Sequence, residues 1–260
     1  MIALGGNSIA PKGGVNDIQE QFSRTREAIK GISHFIDKGY NLCLNHGNGP
    51  QVGNELMRME LSKDVVPPLP LGVCVASTQG SIGYMIQQSL QNKLREMKID
   101  REVVTMISQV LVQNDDPSFK NPHKFVGNRY NKTESDELRK EYGWTFKEQD
   151  TNEFRRVVPS PMPEYLMHGK SIKALVDRGT IVIATGGGGI PVYNDSDGNI
   201  TGLDAVIDKD YSAAKMGRII RAQELWIITD IDCVYVGFGS VKQKRITTIK
   251  ASEIEKLYQK

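Results

Sequence analysis

The chain reads LCLNHGNGP over residues 42–50, so that an apolar run passes directly into a glycine-rich turn. A run of this length is typical of a buried strand, and apolar residues at helical spacing over 52–61 predict a helix after the turn. This stretch therefore predicts one strand, loop and helix unit of an α/β fold.

The same order of strand and glycine-rich turn occurs at two other places in the chain. Residues 1–4 form a short apolar run that ends at Gly5 and Gly6, and the run 181–184 leads into Gly186–Gly189. Strands that alternate with helices predict a parallel sheet covered on both faces. We therefore expect an α/β fold with an open, mainly parallel sheet in an αβα sandwich.

The regular alternation is interrupted between residues 113 and 163, where prolines and aspartates punctuate a polar stretch. Just before it, the β-branched run 103–112 predicts one buried strand. We expect 113–163 to form a protruding inserted subdomain between an N-terminal lobe, 1–112, and a second lobe, 164–260. Because the insertion contains few apolar residues, we expect it to lean on the main body.

The composition limits the partners of this 260-residue chain. A net charge of +2 gives no broad positive field for nucleic acid or an anionic membrane, so we expect small-molecule partners. The apolar runs have the length of strands, far below the roughly 20 residues that cross a bilayer, and the N-terminus does not resemble a signal peptide. From these features and three widely spaced cysteines, we expect reduced thiols and a cytoplasmic protein.

Three glycine-rich turns, each after a predicted strand, are the main functional signal. Gly5-Gly6-Asn7, Gly47-Asn48-Gly49 and Gly186–Gly189 should meet at the carboxyl ends of their strands. Glycine lets backbone N–H groups approach an anion closely, and a following helix N-terminus adds positive potential, so the turns predict a phosphate site. Tight turns without a ligand are the alternative. Neither a P-loop nor the dinucleotide fingerprint G-x-G-x-x-G occurs, which argues against a redox dehydrogenase.

Several lysines are candidates for neutralising phosphate charge. Lys209 lies between Asp208 and Asp210 directly before a predicted helix, and a lysine held by a carboxylate suits phosphoryl transfer. A surface lysine beside a helix-capping aspartate is the alternative interpretation. Lys120 and Lys124 lie in the inserted subdomain, where a hinged cover would bring charge over a bound phosphate, although solvated loop lysines would look the same.

Two further side chains have reactive groups. His46 adjoins the second glycine turn but has no recognisable nucleophile partner in the sequence, so we predict a structural role for it. Cys233 has no basic neighbour or helix N-terminus to lower its pKa, so we interpret it as a packed thiol.

Longer strings, in a fixed order along nearly the whole chain, resemble those of one enzyme family. They are ALGGN at 3–7, NHGNGPQVG at 45–53, STQGSIGY at 77–84, DPSFKNP at 116–122, RRVVPSP at 155–161 and AVIDKD at 205–210. These strings resemble carbamate kinase, of the amino-acid-kinase superfamily. The second glycine turn and the insertion are more specific than the glycine-strand pattern that acetylglutamate, uridylate and aspartate kinases share.

The resemblance implies reversible phosphoryl transfer from ATP to carbamate, which gives ADP and carbamoyl phosphate, with Mg²⁺ as cofactor. It places carbamate in the N-terminal half and the nucleotide in the C-terminal half, and it implies a homodimer formed through the first half. Because carbamoyl phosphate is a mixed anhydride and a strong phosphoryl donor, the resemblance also implies ATP synthesis from it in arginine catabolism.

The resemblance also implies roles for individual residues. Lys209 matches the catalytic lysine, oriented by Asp208, and either Lys124 or Lys120 matches the lysine of the protruding subdomain. The residues that match the carbamate and phosphoryl site are Gly5, Gly6, Asn7, Gly47, Asn48 and Gly49. The residues that match the nucleotide site are Gly186, Gly187, Asp230, Val234 and Tyr235.

Two alternatives stay open at this point. A kinase of the same superfamily could use a larger acid such as acetylglutamate, and a catalytically silent protein could bind carbamoyl phosphate or a nucleotide. The family carries a Gly-Ser-Met-Gly-Pro-Lys segment beyond its final helix, which the sequence does not reach by Lys260. We therefore expect the C-terminal end of the chain to be incomplete.

Overall fold

The computed structural model describes residues 1–9, 17–229 and 231–258. The elements of the first part are β1 (Ile2–Leu4), α1 (Gly6–Ile9), α2 (Ile18–Asp37), β2 (Cys43–His46), α3 (Gly49–Ser62), α4 (Leu71–Met97), β3 (Val103–Thr105) and β4 (Gln109–Leu111). Then follow β5 (Lys124–Tyr130), α5 (Lys132–Tyr142), β6 (Thr145–Asp150), β7 (Glu153–Val158), β8 (Tyr165–Leu166), α6 (Gly169–Asp177) and β9 (Ile181–Ile183). The last are β10 (Ile190–Asn194), β11 (Ile200–Gly202), α7 (Lys209–Ile219), β12 (Trp226–Ile228), β13 (Val234–Val236), β14 (Lys244–Ile246) and α8 (Ala251–Tyr258). None of these helices is long and apolar enough to cross a membrane.

The chain is divided into two compact units, Met1–Ile228 and Thr229–Lys260. In the second unit, β13 and β14 pair as antiparallel strands and α8 follows them. The thiol of Cys233 donates a hydrogen bond to the carbonyl of Ile246, at a sulfur to oxygen distance of 2.6 Å. The Cys233 side chain is half-buried and interacts with the Arg245 side chain, so the expectation that it has no basic neighbour is wrong, and its interpretation as a packed thiol stays a prediction.

A five-stranded sheet is the centre of the first unit. Its order is β12-β1-β2-β9-β3, and every neighbouring pair is parallel. β1 lies between β12 and β2, so that Ile2 is opposite both Trp226 and Leu44. The predicted α/β fold with a mainly parallel sheet is confirmed.

Helices cover both faces of this sheet because the strand side chains alternate between them. Leu4 packs in one buried cluster with Ile86 of α4, whereas its neighbour Ala3 packs in another with Ile172 of α6 and Met216 of α7. Full burial of a leucine, isoleucine or methionine side chain stabilises the fold by roughly 1.5–3 kcal/mol. The two clusters therefore hold the predicted αβα sandwich together.

A second, mixed sheet has the order β11-β10-β4-β8. The prediction of a single strand over 103–112 is wrong, because β3 belongs to the five-stranded sheet and β4 to this one. Ser108, between them, gives its backbone N–H to the side chain of Gln79 at 2.8 Å and accepts the backbone N–H of Ile190 at 2.9 Å. The backbone at Ser108 is therefore satisfied without continuing the first strand.

The inserted segment forms an antiparallel sheet of its own, with the order β5-β7-β6, and α5 packs beside it. Val126 of β5 and Val158 of β7 share a buried cluster with Leu56 of α3. At the other end of the segment, Lys63 and Glu141 form an ion pair of 2.9 Å. The insertion thus leans on the main body through α3, while the boundaries at 112 and 163 stay predictions.

Candidate active site

The first two glycine turns touch each other at one edge of the five-stranded sheet. β1 and β2 are neighbours, and the backbone N–H of Gly47 donates to the carbonyl of Leu4 at 2.9 Å. A Cβ atom added to Gly47 would lie 2.8 Å from the backbone nitrogen of Gly6. Only glycine at position 47 therefore allows the two turns this close approach.

The third glycine turn packs directly against the second. A Cβ atom on Gly186 would lie 2.3 Å from Nε2 of His46, and one on Gly187 would lie 2.3 Å from Nδ2 of Asn48. Gly187 also has a φ of +64°, which side chains disfavour. The predicted convergence of the three turns is confirmed.

Buried polar side chains that the sequence analysis missed hold the third turn in place. Gln79 of α4 donates to the carbonyl of Gly186 at 2.9 Å, and the hydroxyl of Ser108 accepts the backbone N–H of Thr185 at 3.0 Å. The hydroxyl of Ser212 donates to the carbonyl of Gly188 at 2.6 Å. The string STQGSIGY at 77–84 indicates this supporting role of Gln79, because it places the glutamine on a helix that faces the core.

Asp208 is the N-cap of α7 and is bonded from two directions. One carboxylate oxygen accepts the backbone N–H of Asp210 at 2.9 Å, and the other accepts the ammonium group of Lys124 at 3.1 Å. Burial would raise the pKa of Asp208, but the hydrogen bond from Asp210 and the charges of Lys124 and Lys209 outweigh it, so the pKa is lowered. Asp208 is thus an anionic link between α7 and β5.

Lys209 begins α7 beside the second glycine turn. Its Cδ atom lies 3.5 Å from the position that a Cβ atom on Gly47 would take, and Asn45 donates to its carbonyl at 2.9 Å. Its ammonium group pairs with Asp210 at 2.5 Å. The resemblance implies that Asp208 orients Lys209, whereas in the structure Asp210 contacts the Lys209 ammonium and Asp208 contacts Lys124.

The two candidate lysines of the insertion have different surroundings. Lys120 follows a 3-10 turn at Pro117–Phe119 and is exposed. Lys124 is the first residue of β5 and is half-buried against Asp208. The structure therefore brings Lys124, and not Lys120, to the start of α7.

The predicted nucleotide residues divide between the two units. Gly186 and Gly187 are buried in the third turn, whereas Val234 and Tyr235 belong to β13 in the second unit. Val234 is exposed, and the Tyr235 hydroxyl donates to Asp232 at 2.8 Å. Asp230 lies outside the described residues, so its predicted contact with adenosine, like those of Val234 and Tyr235, stays a prediction.

His46 is buried beneath the second and third turns. Its Nδ1 atom lies 3.0 Å from the carbonyl of Gly47, to which it donates when that nitrogen carries the proton. Burial lowers the pKa of His46 to about 4, while the hydrogen bond to Gly47 opposes the shift. The imidazole is therefore neutral near pH 7, which agrees with the structural role predicted for it.

These features together make a candidate site for an anionic ligand. The first two glycine turns leave backbone accessible close to the N-terminus of α3, and the buried third turn packs beside the first turn of α7; helix dipoles favour negative charge at both N-termini. Lys209 and Lys124 place two ammonium groups at the start of α7, each paired there with a carboxylate, that of Asp210 and that of Asp208 respectively. The arrangement can bind an anion and stabilise charge as a phosphoryl group moves.

Comparisons with known proteins show the family of the chain. The chain belongs to the amino acid kinase family, whose model matches residues 1–260. It is 42% identical over 261 residues to a carbamate kinase of Pyrococcus horikoshii, across 100% of this chain and 83% of the relative. Carbamate kinase 2 of Staphylococcus epidermidis is 41% identical over 260 residues, across 98% of this chain and 82% of the relative.

A solved structure gives the same result. The carbamate kinase of Giardia lamblia bound to AMP-PNP has a TM-score of 0.91 and 34% sequence identity, over 99% of this chain and 82% of that one. The activity of the chain is accordingly that of a carbamate kinase, an ATP-dependent phosphotransferase. The sequence prediction of this activity is confirmed.

Gly187→Ala tests the contact between the second and third turns. We expect it to lower the free energy of unfolding by about 3 kcal/mol, because a left-handed backbone strain is added to overlap with Asn48. The matched control is Gly198→Ala, where φ is +81° but an added Cβ meets nothing within 4 Å, and we expect a loss of about 1 kcal/mol. Equal losses in urea unfolding would contradict the close contact.

His46→Gln tests the buried neutral imidazole. Because the folded pKa of about 4 lies below the ordinary value of 6.5, the unfolded chain takes up the proton first as the pH falls. Stability is therefore lost between these two pKa values, and from pH 7 to pH 5 the wild type should lose about 2 kcal/mol more than the variant. Urea unfolding at both pH values measures this difference, with exposed His123→Gln as the control. Equal pH dependence in wild type and variant would show that His46 is not buried neutral.

Proposed function

We propose that Lys209, Asp208 and Lys124 form the catalytic group of this carbamate kinase. The observation that carries the proposal is the Asp208 carboxylate, which caps the helix that begins with Lys209 and accepts Lys124 from the inserted sheet at 3.1 Å. One aspartate thus joins the helix that begins with Lys209 to the strand that begins with Lys124, while Asp210 holds the Lys209 ammonium group. Phosphoryl transfer depends mainly on such positioning and on neutralised charge.

We assign the first two turns to carbamate and the transferred phosphoryl group. Gly5, Gly6 and Asn7 precede or begin α1, and Gly47, Asn48 and Gly49 lead into α3. Carbamate already carries an anionic oxygen, so its attack on a phosphoryl group needs no strong base. This fits a site whose histidine, His46, is buried and neutral.

We assign the third turn, with Gly186 and Gly187, to the nucleotide, and Asp230, Val234 and Tyr235 to adenosine. The relative from Giardia lamblia that was solved with AMP-PNP supports an ATP site. Carbamoyl phosphate is a mixed anhydride, so we propose that the chain forms ATP from carbamoyl phosphate and ADP in arginine catabolism. A homodimer formed through the first half and a cytoplasmic location belong to the same proposal.

Mg²⁺ fits this site as an ion that arrives with the nucleotide. Within 1–9, 17–229 and 231–258 there is no cluster of three or more His, Cys, Asp or Glu side chains that could hold a metal. Mg²⁺ commonly binds one or two carboxylates together with substrate phosphates, and Asp208 and Asp210 are the carboxylates at the start of α7. When bound, the ion would neutralise phosphate charge, while Lys209 and Lys124 orient and stabilise the transferred group.

Three alanine variants test the catalytic group. We expect Lys209→Ala to lower kcat about a hundredfold or more, because a preorganised charge stabiliser is lost. Lys124→Ala should lower kcat about tenfold to a hundredfold for the same reason, whereas exposed Lys120→Ala should keep the wild-type kcat. The measurement is coupled ATP formation from carbamoyl phosphate and MgADP. Near wild-type turnover of Lys209→Ala, or a larger loss for Lys120→Ala than for Lys124→Ala, would refute the assignment.

A further inference from the structure

Arg156 is a buried cation on the inserted sheet. It lies in β7, is 5% exposed and stacks on Trp144, with 4.1 Å from its guanidinium carbon to the ring centroid. Its Nη2 atom donates to a carboxylate oxygen of Asp204 at 2.8 Å. Because a buried guanidinium is costly without a partner, this pair strongly favours one position of the sheet.

Asp204 and the residues after it connect the inserted sheet to the main body. The second carboxylate oxygen of Asp204 accepts the backbone N–H of Leu71, the first residue of α4, at 3.3 Å. Two residues later, the backbone N–H of Val206 donates to the carbonyl of Pro159 at 3.0 Å. The segment that leads to Asp208 is therefore fastened to α4 and to the end of β7.

The strand register places Arg156 and Lys124 on one face of the inserted sheet. Arg156 is opposite Val126, and Lys124, two residues before Val126, is opposite Val158. Side chains two residues apart point to the same face, and this face carries the two valines that pack on the main body. Two ion pairs therefore join this face to the segment 204–208.

The two ion pairs differ in their surroundings. In the pair of Arg156 and Asp204 the arginine side chain is 7% exposed, whereas in the pair of Lys124 and Asp208 the side chains are 40% and 35% exposed. A half-exposed lysine pair gains little by itself and is a weak way to fix a position. The buried arginine, which is planar and stacked, is the better anchor.

We propose that Arg156 and Asp204 form a positioning pair, which sets the register between the inserted sheet and the start of α7 so that Lys124 meets Asp208. This inference rests on the proposed catalytic role of Lys124 and Asp208. The guanidinium group of Arg156 is engaged with Asp204 and Trp144. Arg156 therefore acts by placing Lys124 and is not itself a catalytic residue. Its loss should lower kcat while the KM for MgADP changes little.

A double-mutant cycle on the full chain tests this proposal. Arg156→Gln should lower kcat for ATP formation by roughly tenfold to a hundredfold, because small misplacements of a catalytic group cost this much. In a Lys124→Ala background, the same substitution should lower kcat by less than about twofold, since the group that it positions is already gone. Arg129→Gln is the matched control, because Arg129 lies on the same sheet in exposed ion pairs with Asp150 and Glu153.

The possible outcomes separate this inference from the proposed function. A wild-type kcat for Arg156→Gln, or equal losses in both backgrounds, would overturn the positioning role. If the single variant Lys124→Ala keeps the wild-type kcat, the proposed catalytic role of Lys124 is wrong, and so is the positioning role that rests on it. If Arg156→Gln does not fold, as shown by its thermal melt, Asp204→Asn replaces it, because the Asp204 side chain is 53% exposed and the same loss of coupling is expected.

Discussion

The rest of the site depends on the two contacts that the Asp208 carboxylate makes. It caps α7 through the N–H of Asp210 and accepts the ammonium group of Lys124, so a helix of the sandwich and a strand of the insertion meet at one group. The pKa of Asp208 is lowered, so its carboxylate stays anionic to lower pH and its ion pair with Lys124 persists there. Without this link, Lys124 would be an ordinary half-buried lysine on a separate sheet.

The glycine turns supply the other half of the site, and their convergence follows from sheet topology. β1, β2 and β9 are adjacent parallel strands, so their carboxyl ends meet at one edge. This part could be predicted from the sequence, since short apolar runs followed by glycines are local signals. The αβα sandwich could be predicted for the same reason, because alternating strands and helices leave few other arrangements.

Contacts between distant residues could not be predicted in this way. Gln79 supports Gly186 across 107 positions of the chain, and neither residue signals the other locally. The break at Ser108 depends on the same glutamine, so an apolar run that looks like one strand becomes two. Lys124 can be chosen over Lys120 only when the register of β5 against β7 is known. Asp210 can be identified as the partner of Lys209 only from the side-chain geometry.

We propose that this edge of the sheet is a phosphoryl-transfer centre for carbamate, a small acid that needs no general base. Its most direct test is coupled ATP formation from carbamoyl phosphate and MgADP, measured beside acetylglutamyl phosphate on protein whose intact mass has been checked. We expect rapid ATP formation from MgADP with carbamoyl phosphate and none with acetylglutamyl phosphate. Absence of ATP from carbamoyl phosphate, or faster formation from acetylglutamyl phosphate, would contradict it.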